Sequence, residues 1–100
     1  MALLRTVNPA TGKPLADYET HTAHDVEARL SAAWLTFGRW RESDWPRRQA
    51  GLVNVAAVLA DRRERYARLM TEEMGKPITQ ALAEVDKCAW AARHYAELGQ

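Results

Sequence analysis

The chain has 100 residues, of which 47% are hydrophobic and 27% charged, and its formal net charge is +1 at neutral pH. This length allows one ordinary domain at most, and the composition is typical of a soluble globular protein and not of a disordered one. The near-neutral charge provides no overall field to attract nucleic acid or an anionic membrane. The single cysteine excludes an internal disulfide and any cysteine-based metal cluster.

The first residues contain no targeting signal. They lack the basic region, the apolar stretch and the cleavage site of a signal peptide. No apolar run approaches the ~20 residues that a membrane-spanning helix needs. A reducing cytoplasm is therefore the expected compartment.

A short β-hairpin is predicted at the start of the chain. Val7 precedes, and residues 15–18 follow, a Pro-Ala-Thr-Gly turn at residues 9–12. Because proline fixes φ and glycine accepts a positive φ, this pattern predicts two extended pieces around a tight loop. A hairpin of this size is only marginally stable alone, so we expect it to pack against a larger element.

The first helix is predicted over about residues 23–38. Thr22 followed by Asp25 is typical of a capping box at a helix start, and Gly38 is expected near the helix end. Apolar residues between them recur every three or four positions, which indicates one helical face. They are Val26, Leu30, Ala33, Phe37 and Trp40.

Two further helices are predicted over about residues 44–62 and 63–74. Ser43 is the expected N-cap of the first, and Pro46 falls in its first turn, where a missing N–H costs little. The charged run at residues 61–65 indicates a break between the two helices. Their apolar faces contain Leu52, Ala56, Leu59, Ala60, Tyr66, Leu69 and Met70.

The last helix is predicted over about residues 77–98. Gly75 suits the end of the preceding helix and Pro77 the first turn of the next. Its apolar positions are Ile78, Leu82, Val85, Ala89, Ala92 and Ala96. The chain is therefore expected to be mainly α-helical with a short N-terminal β-hairpin.

Five matches in order resemble the N-terminal segment of an NAD(P)-dependent aldehyde dehydrogenase. The first four are Asn-Pro-Ala-Thr-Gly at residues 8–12, Trp40, Arg48 with Leu52, and Glu-Met-Gly-Lys-Pro at residues 73–77. The long helix after them looks most similar to the bacterial succinate-semialdehyde dehydrogenase branch. The resemblance implies an α/β parent fold, with residues 1–100 forming an incomplete N-terminal part of its Rossmann-type dinucleotide-binding domain.

The resemblance also implies a chemistry that the matched residues do not carry. Family members oxidise an aldehyde on a cysteine nucleophile and transfer hydride to NAD or NADP. The catalytic and cofactor-binding groups belong downstream, so none is assigned here, and the five glycines of this chain are too scattered for a phosphate loop. The intact enzyme is expected to convert succinate semialdehyde to succinate, and this segment alone is expected to be inactive.

The expected partners also follow from the resemblance. They are the remainder of the dehydrogenase chain and further copies of the intact enzyme in a homo-oligomer. Neither nucleic acid nor a membrane is expected as a partner.

One possible metal site follows from the resemblance as well. Some family members hold a structural monovalent cation through a backbone carbonyl before the Asn-Pro turn and an acidic residue before the Gly-Lys-Pro junction. The matching positions are Val7 and Glu73. A hard cation prefers such oxygen ligands. The alternative is that Glu73 is a solvated residue near a helix end.

The single cysteine and the histidines are predicted to be structural. Cys88 lies on the apolar side of an alanine-rich helix with no activating histidine beside it, which predicts a packing residue. His21 and His24 straddle a helix start and have no third ligand near them, so a zinc site is not expected.

A function of a different class is the alternative. Four amphipathic helices can form a self-contained interaction module, and residues 39–68 hold eight arginines against four acidic residues, with aromatic side chains between them. Such a stretch can bind nucleic acid through phosphates and stacking. The interspersed acids favour helix-surface ion pairs instead. Trp34 and Trp90 are expected either to cover the helices against other parts of an enzyme or to pack locally.

Overall fold

The computed structural model describes residues 2–100 of the chain. Within them the chain begins with two strands and continues with four helices, which confirms the mainly helical fold with an N-terminal hairpin. The elements are β1 (Leu3–Val7), β2 (Pro14–Glu19), α1 (Ala23–Trp40), α2 (Trp45–Asp61), α3 (Arg63–Met74) and α4 (Ile78–Leu98). None of these helices is both long and apolar enough to cross a membrane.

The hairpin is antiparallel, with an irregularity in the register next to Val7. Arg5 pairs with Asp17 across the two strands, and its guanidinium donates to both carboxylate oxygens at 2.7 and 2.9 Å. This hydrogen-bonded contact lowers the pKa of Asp17 below its usual value. Both side chains are exposed, so the ion pair adds little to stability.

The capping box at the start of α1 is confirmed. The Asp25 amide donates to the Thr22 hydroxyl at 3.1 Å, and the Thr22 amide donates to the Asp25 carboxylate at 2.9 Å. The bond from the Thr22 backbone holds the pKa of Asp25 below its usual value. Two N–H groups that a helix start leaves unpaired are satisfied in this way.

One prediction near the α1–α2 turn is wrong. Helix α1 ends at Trp40, two residues after the predicted end near Gly38, and Gly38 itself is not one of the glycines with positive φ. The N-cap of α2 is Asp44 and not Ser43, since the Asp44 carboxylate accepts the Arg47 amide at 3.1 Å. The Ser43 amide instead donates to the Trp40 carbonyl at 3.0 Å and closes the turn.

The core lies where α2 and α3 pack against α4. Its buried side chains are all small, which lets the helices approach closely. They are Ala56, Ala67, Ala81, Val85, Ala89 and Ala96. Polar contacts reinforce the same interfaces. Arg63 of α3 donates to both carboxylate oxygens of Asp86 in α4 at 2.6 and 2.9 Å, and the Gln49 side chain of α2 donates to the Ala96 carbonyl at 2.8 Å.

The prediction that Cys88 is a packing residue is wrong within residues 2–100. Its side chain is exposed. The buried line of α4 passes through Val85 and Ala89, and a residue three positions after Val85 is rotated by about 60° from that residue on a helix. Cys88 therefore sits to the side of the core.

The described residues form a flat layer with extents of 47 × 39 × 16 Å. Helix α1 buries no residue, and Trp34, at the edge of its apolar face, is 72% exposed. Trp90 of α4 is also exposed. Within residues 2–100, α1 does not close a four-helix bundle with the other three helices.

Candidate functional site

The turn that joins the two strands is fixed by its own hydrogen bonds. The Asn8 side-chain oxygen accepts the Ala10 amide at 2.9 Å, and the Asn8 carbonyl accepts the Gly12 amide at 2.8 Å. The Asn8 amide in turn donates to the Lys13 carbonyl at 2.9 Å. Gly12 has a φ of 73°, which glycine adopts without steric cost. The turn is consequently held in one shape directly after Val7.

The junction between α3 and α4 lies against this turn. Gly75 ends α3 with a φ of 74°, and its amide donates to the Thr71 carbonyl at 3.0 Å. A Cβ atom placed on Gly75 would be only 3.1 Å from Cγ of Pro9. The proline ring therefore rests on the glycine, and the two motifs that carry the family resemblance are in direct contact.

This contact places the two candidate cation ligands on neighbouring elements. Val7 is the last residue of β1, and Glu73 lies in the last turn of α3, which packs against β1. Glu73 is half-buried and forms no salt bridge with any residue from 2 to 100. A carbonyl and an unpaired carboxylate are suitable ligands for a hard cation.

The two groups alone do not complete a coordination shell. Calcium, for example, takes about 6–8 oxygen ligands, and no three His, Cys, Asp or Glu residues cluster within residues 2–100. The Thr71 hydroxyl, two residues before Glu73, is buried and has no hydrogen-bond partner among residues 2–100. Nothing in the sequence singled out Thr71, because a lone threonine inside a helix carries no pattern.

The other two matches to the family, Trp40 and Arg48, meet at the corner between α1 and α2. The Arg48 guanidinium donates to the Arg41 carbonyl and is a second donor to the Trp40 carbonyl, which also accepts the Ser43 amide. The Trp40 indole packs over Gly51 of α2, at a distance of 3.7 Å from a Cβ placed there. These matched residues therefore fix the angle between two helices.

The histidines are not brought together into a ligand set. His21 lies just before the exposed start of α1 and His24 within its first turn. His94 of α4 is stacked on Trp90, with ring centres 5.0 Å apart.

Comparison with known proteins agrees with the resemblance carried by these motifs. The profile of the aldehyde dehydrogenase family matches residues 2–100. The probable NADP⁺ succinate-semialdehyde dehydrogenase of Synechocystis sp. is 43% identical over 94 residues, which are 94% of this chain and 21% of that protein. The NAD(P)⁺ succinate semialdehyde dehydrogenase of Escherichia coli is 41% identical over 93 residues, which are 89% of this chain and 20% of that protein.

A solved structure shows the same fold. The succinic semialdehyde dehydrogenase of Streptococcus pyogenes, crystallised with NADP⁺, superimposes with a TM-score of 0.87 and 37% identity over 93% of this chain. That match covers 21% of the other chain, so the protein described here spans about a fifth of the length of these relatives. The chain belongs to the aldehyde dehydrogenase family and is similar along nearly its whole length to the N-terminal segment of succinate-semialdehyde dehydrogenases.

Proposed function

We propose that this chain is the N-terminal part of the dinucleotide-binding domain of an enzyme that oxidises succinate semialdehyde to succinate with NAD or NADP. The observation that carries the proposal is the 43% and 41% identity to two proteins named for that activity. The names of these relatives include NADP⁺ in one case and NAD(P)⁺ in the other, which supports a nicotinamide cofactor.

The role proposed for the chain within such an enzyme is structural. Its motifs fix contacts between elements: Pro9 against Gly75, and Arg48 against the end of α1. The apolar face of α1 is open, and exposed apolar surface of this extent is typical of a region that another part of a protein covers. We assign that covering role to the remainder of the dehydrogenase chain and to further copies in a homo-oligomer.

A cation site is proposed at the contact between the two motifs. The Val7 carbonyl and the Glu73 carboxylate would hold a monovalent cation together with oxygen ligands supplied from outside residues 2–100. The ion would stabilise the contact between the hairpin and α3 and take no part in the catalytic reaction. A reducing cytoplasm is the compartment we propose, and the single, exposed thiol is compatible with it.

The experiment that tests the proposed activity is a steady-state assay of the complete gene product. Succinate semialdehyde is supplied with NAD⁺ or NADP⁺, and formation of the reduced nicotinamide is followed by absorbance. Butyraldehyde serves as the matched control because it has the same carbon number and lacks the carboxylate. We expect a higher kcat/KM for succinate semialdehyde. A preference for butyraldehyde would contradict the substrate proposal, and no oxidation of either aldehyde would contradict the dehydrogenase proposal.

A further inference from the structure

A small cleft at the α1–α2 corner is lined without any carboxylate. Its volume is about 270 Å³, and it opens between the last turn of α1 and the first turn of α2. Two guanidinium groups, two hydroxyl groups and one indole form its walls. The lining residues are Thr36, Arg39, Trp40, Ser43 and Arg47.

Positive charges outnumber negative charges around this cleft. Residues 39–48 contain four arginines and two acidic residues. Arg41 is paired with Glu42 at 3.1 Å, and the Asp44 carboxylate caps the backbone of α2. The fourth arginine, Arg48, donates to carbonyl groups, as described above.

Among the described residues, the two arginines that line the cleft are the ones without an acidic partner. Arg39 and Arg47 form no salt bridge with any residue in the part of the chain that the structure describes. Two like charges in one cleft repel each other, and a bound anion relieves that repulsion. The cleft is therefore electrostatically suited to an anion.

The cleft is also partly pre-organised. The Arg47 guanidinium carbon lies 5.9 Å from the centre of the Trp40 ring, a distance typical of a cation–π contact. The Trp40 indole is itself supported by Gly51. The Thr36 hydroxyl donates to the Ala32 carbonyl at 2.9 Å, so the side-chain donors that remain among the lining residues are those of Arg39, Arg47, Ser43 and the Trp40 indole.

We propose that this cleft binds a phosphate group, either as inorganic phosphate or as the phosphomonoester of a small molecule. A phosphate dianion neutralises both guanidinium groups, whereas a carboxylate neutralises one. Guanidinium groups also match phosphate oxygens with paired N–H donors. A second arginine-containing cleft, between β2 and α3, does not qualify, because Glu64 and Glu72 line it together with its two arginines.

The test is a titration of the complete gene product with inorganic phosphate at constant ionic strength, with binding measured by calorimetry. We expect saturable binding, and we expect Arg39→Gln and Arg47→Gln each to weaken it by about tenfold, as for the loss of one charge-assisted hydrogen bond. Arg65→Gln is the matched control, since it removes an arginine from the other cleft. This variant should bind phosphate with the same affinity as the unmodified protein. Circular dichroism checks that each variant keeps its helix content.

A parallel titration with glycerol 3-phosphate separates the two sources of the group. Tighter binding of the ester supports a phosphomonoester ligand, and tighter binding of inorganic phosphate supports the free ion. Heat changes that sodium chloride reproduces would overturn the proposal, as would an equal loss of affinity in Arg65→Gln. Competition by single-stranded DNA that depends equally on Arg65 would also overturn it and would favour a nucleic-acid surface.

Discussion

Gly75 satisfies two separate constraints at one residue. Its φ of 74° lies in the left-handed region, and the Pro9 ring occupies the space where a side chain would begin. Gly38 has neither constraint, since it lies inside α1 and no atom comes within 4 Å of a Cβ placed there. The two glycines therefore provide a matched comparison.

We predict opposite effects of alanine at these two positions. Gly75→Ala should lower the free energy of unfolding by about 1–3 kcal/mol, because it forces a side chain into a strained and occupied position. Gly38→Ala should raise it by about 0.5–1 kcal/mol, because alanine is the better helix former. Urea unfolding of both variants measures the difference. Equal effects would show that the contact between the two motifs does not constrain the chain.

The proposed cation site makes a prediction for Glu73. If its carboxylate is a ligand, then potassium or sodium chloride should raise the Tm of the complete protein above its value in choline chloride at the same concentration. Glu73→Gln should remove that difference. Glu72→Gln is the control, because Glu72 is the neighbouring half-buried carboxylate and lines the cleft on the β2 side. Retention of the cation effect in Glu73→Gln would exclude this residue as a ligand.

Local backbone requirements made several residues predictable from the sequence. The turn glycine Gly12, the helix end at Gly75 and the Thr22–Asp25 capping box all follow from φ preferences or nearby hydrogen bonds. The choice between Ser43 and Asp44 was not predictable, since both residue types are good N-caps. Only the geometry shows that Asp44 reaches the Arg47 amide.

At the scale of elements, α3 and α4 are joined by the ion pair between Arg63 and Asp86. The two hydrogen bonds from the guanidinium hold the pKa of Asp86 below its usual value. The folded state therefore binds the Asp86 proton less tightly than the unfolded chain does. The resulting stabilisation is present above the unfolded pKa of about 3.9 and is lost as the pH falls through the lower folded value.

We predict that Asp86→Asn reduces the acid dependence of stability. Asp17 and Asp25 also have lowered pKa values, so the wild type and the variant should both lose stability in acid. The loss should be smaller in the variant: the wild type should be the more stable protein above a pH of about 4, and this advantage should shrink as the pH falls below that value. Urea midpoints measured across this range provide the comparison. An equally large loss in the variant would mean that the ion pair contributes nothing measurable.

The bounds of the elements were predicted closely, whereas their packing was not. Helical periodicity and the Gly-Lys-Pro junction indicated where α3 ends and α4 begins. Periodicity also placed Cys88 on an apolar face, but the buried line of α4 consists of residues that approach α2 and α3. Which part of an apolar face is buried depends on neighbours that are distant in the sequence.

At the scale of the whole molecule, the open face of α1 is the dominant feature. The face presents large apolar side chains to solvent, and burial of each would stabilise the folded state. They include Val26, Leu30, Trp34 and Phe37. Residues 1–100 produced alone should therefore self-associate and should form no reduced nicotinamide with an aldehyde.

Sedimentation velocity and a thermal melt test the expected self-association. We expect broad, concentration-dependent boundaries and a poorly cooperative melt. A monomer with a sharp melt would contradict this view and would favour the self-contained module. An activity assay on the same material has a separate outcome, because reproducible aldehyde oxidation would contradict the assignment of the catalytic groups to a region beyond these residues.

The candidate site could be predicted only in part, because it depends on a contact between distant parts of the chain. The sequence indicates Val7 and Glu73 by resemblance, but nothing in the local pattern shows that Pro9 rests on Gly75. That contact depends on how the hairpin folds back onto α3. In the proposed enzyme, the remaining cation ligands and the catalytic groups would come from outside residues 1–100, on which the prediction was based.

The most direct test of the central claim is to sequence the source DNA, or its transcript, through and beyond the codon for Gln100. If the chain is the front of a succinate-semialdehyde dehydrogenase-like enzyme, the reading frame should continue into a glycine-rich dinucleotide-binding loop and a downstream cysteine. A stop codon directly after Gln100 with no in-frame continuation would contradict the account.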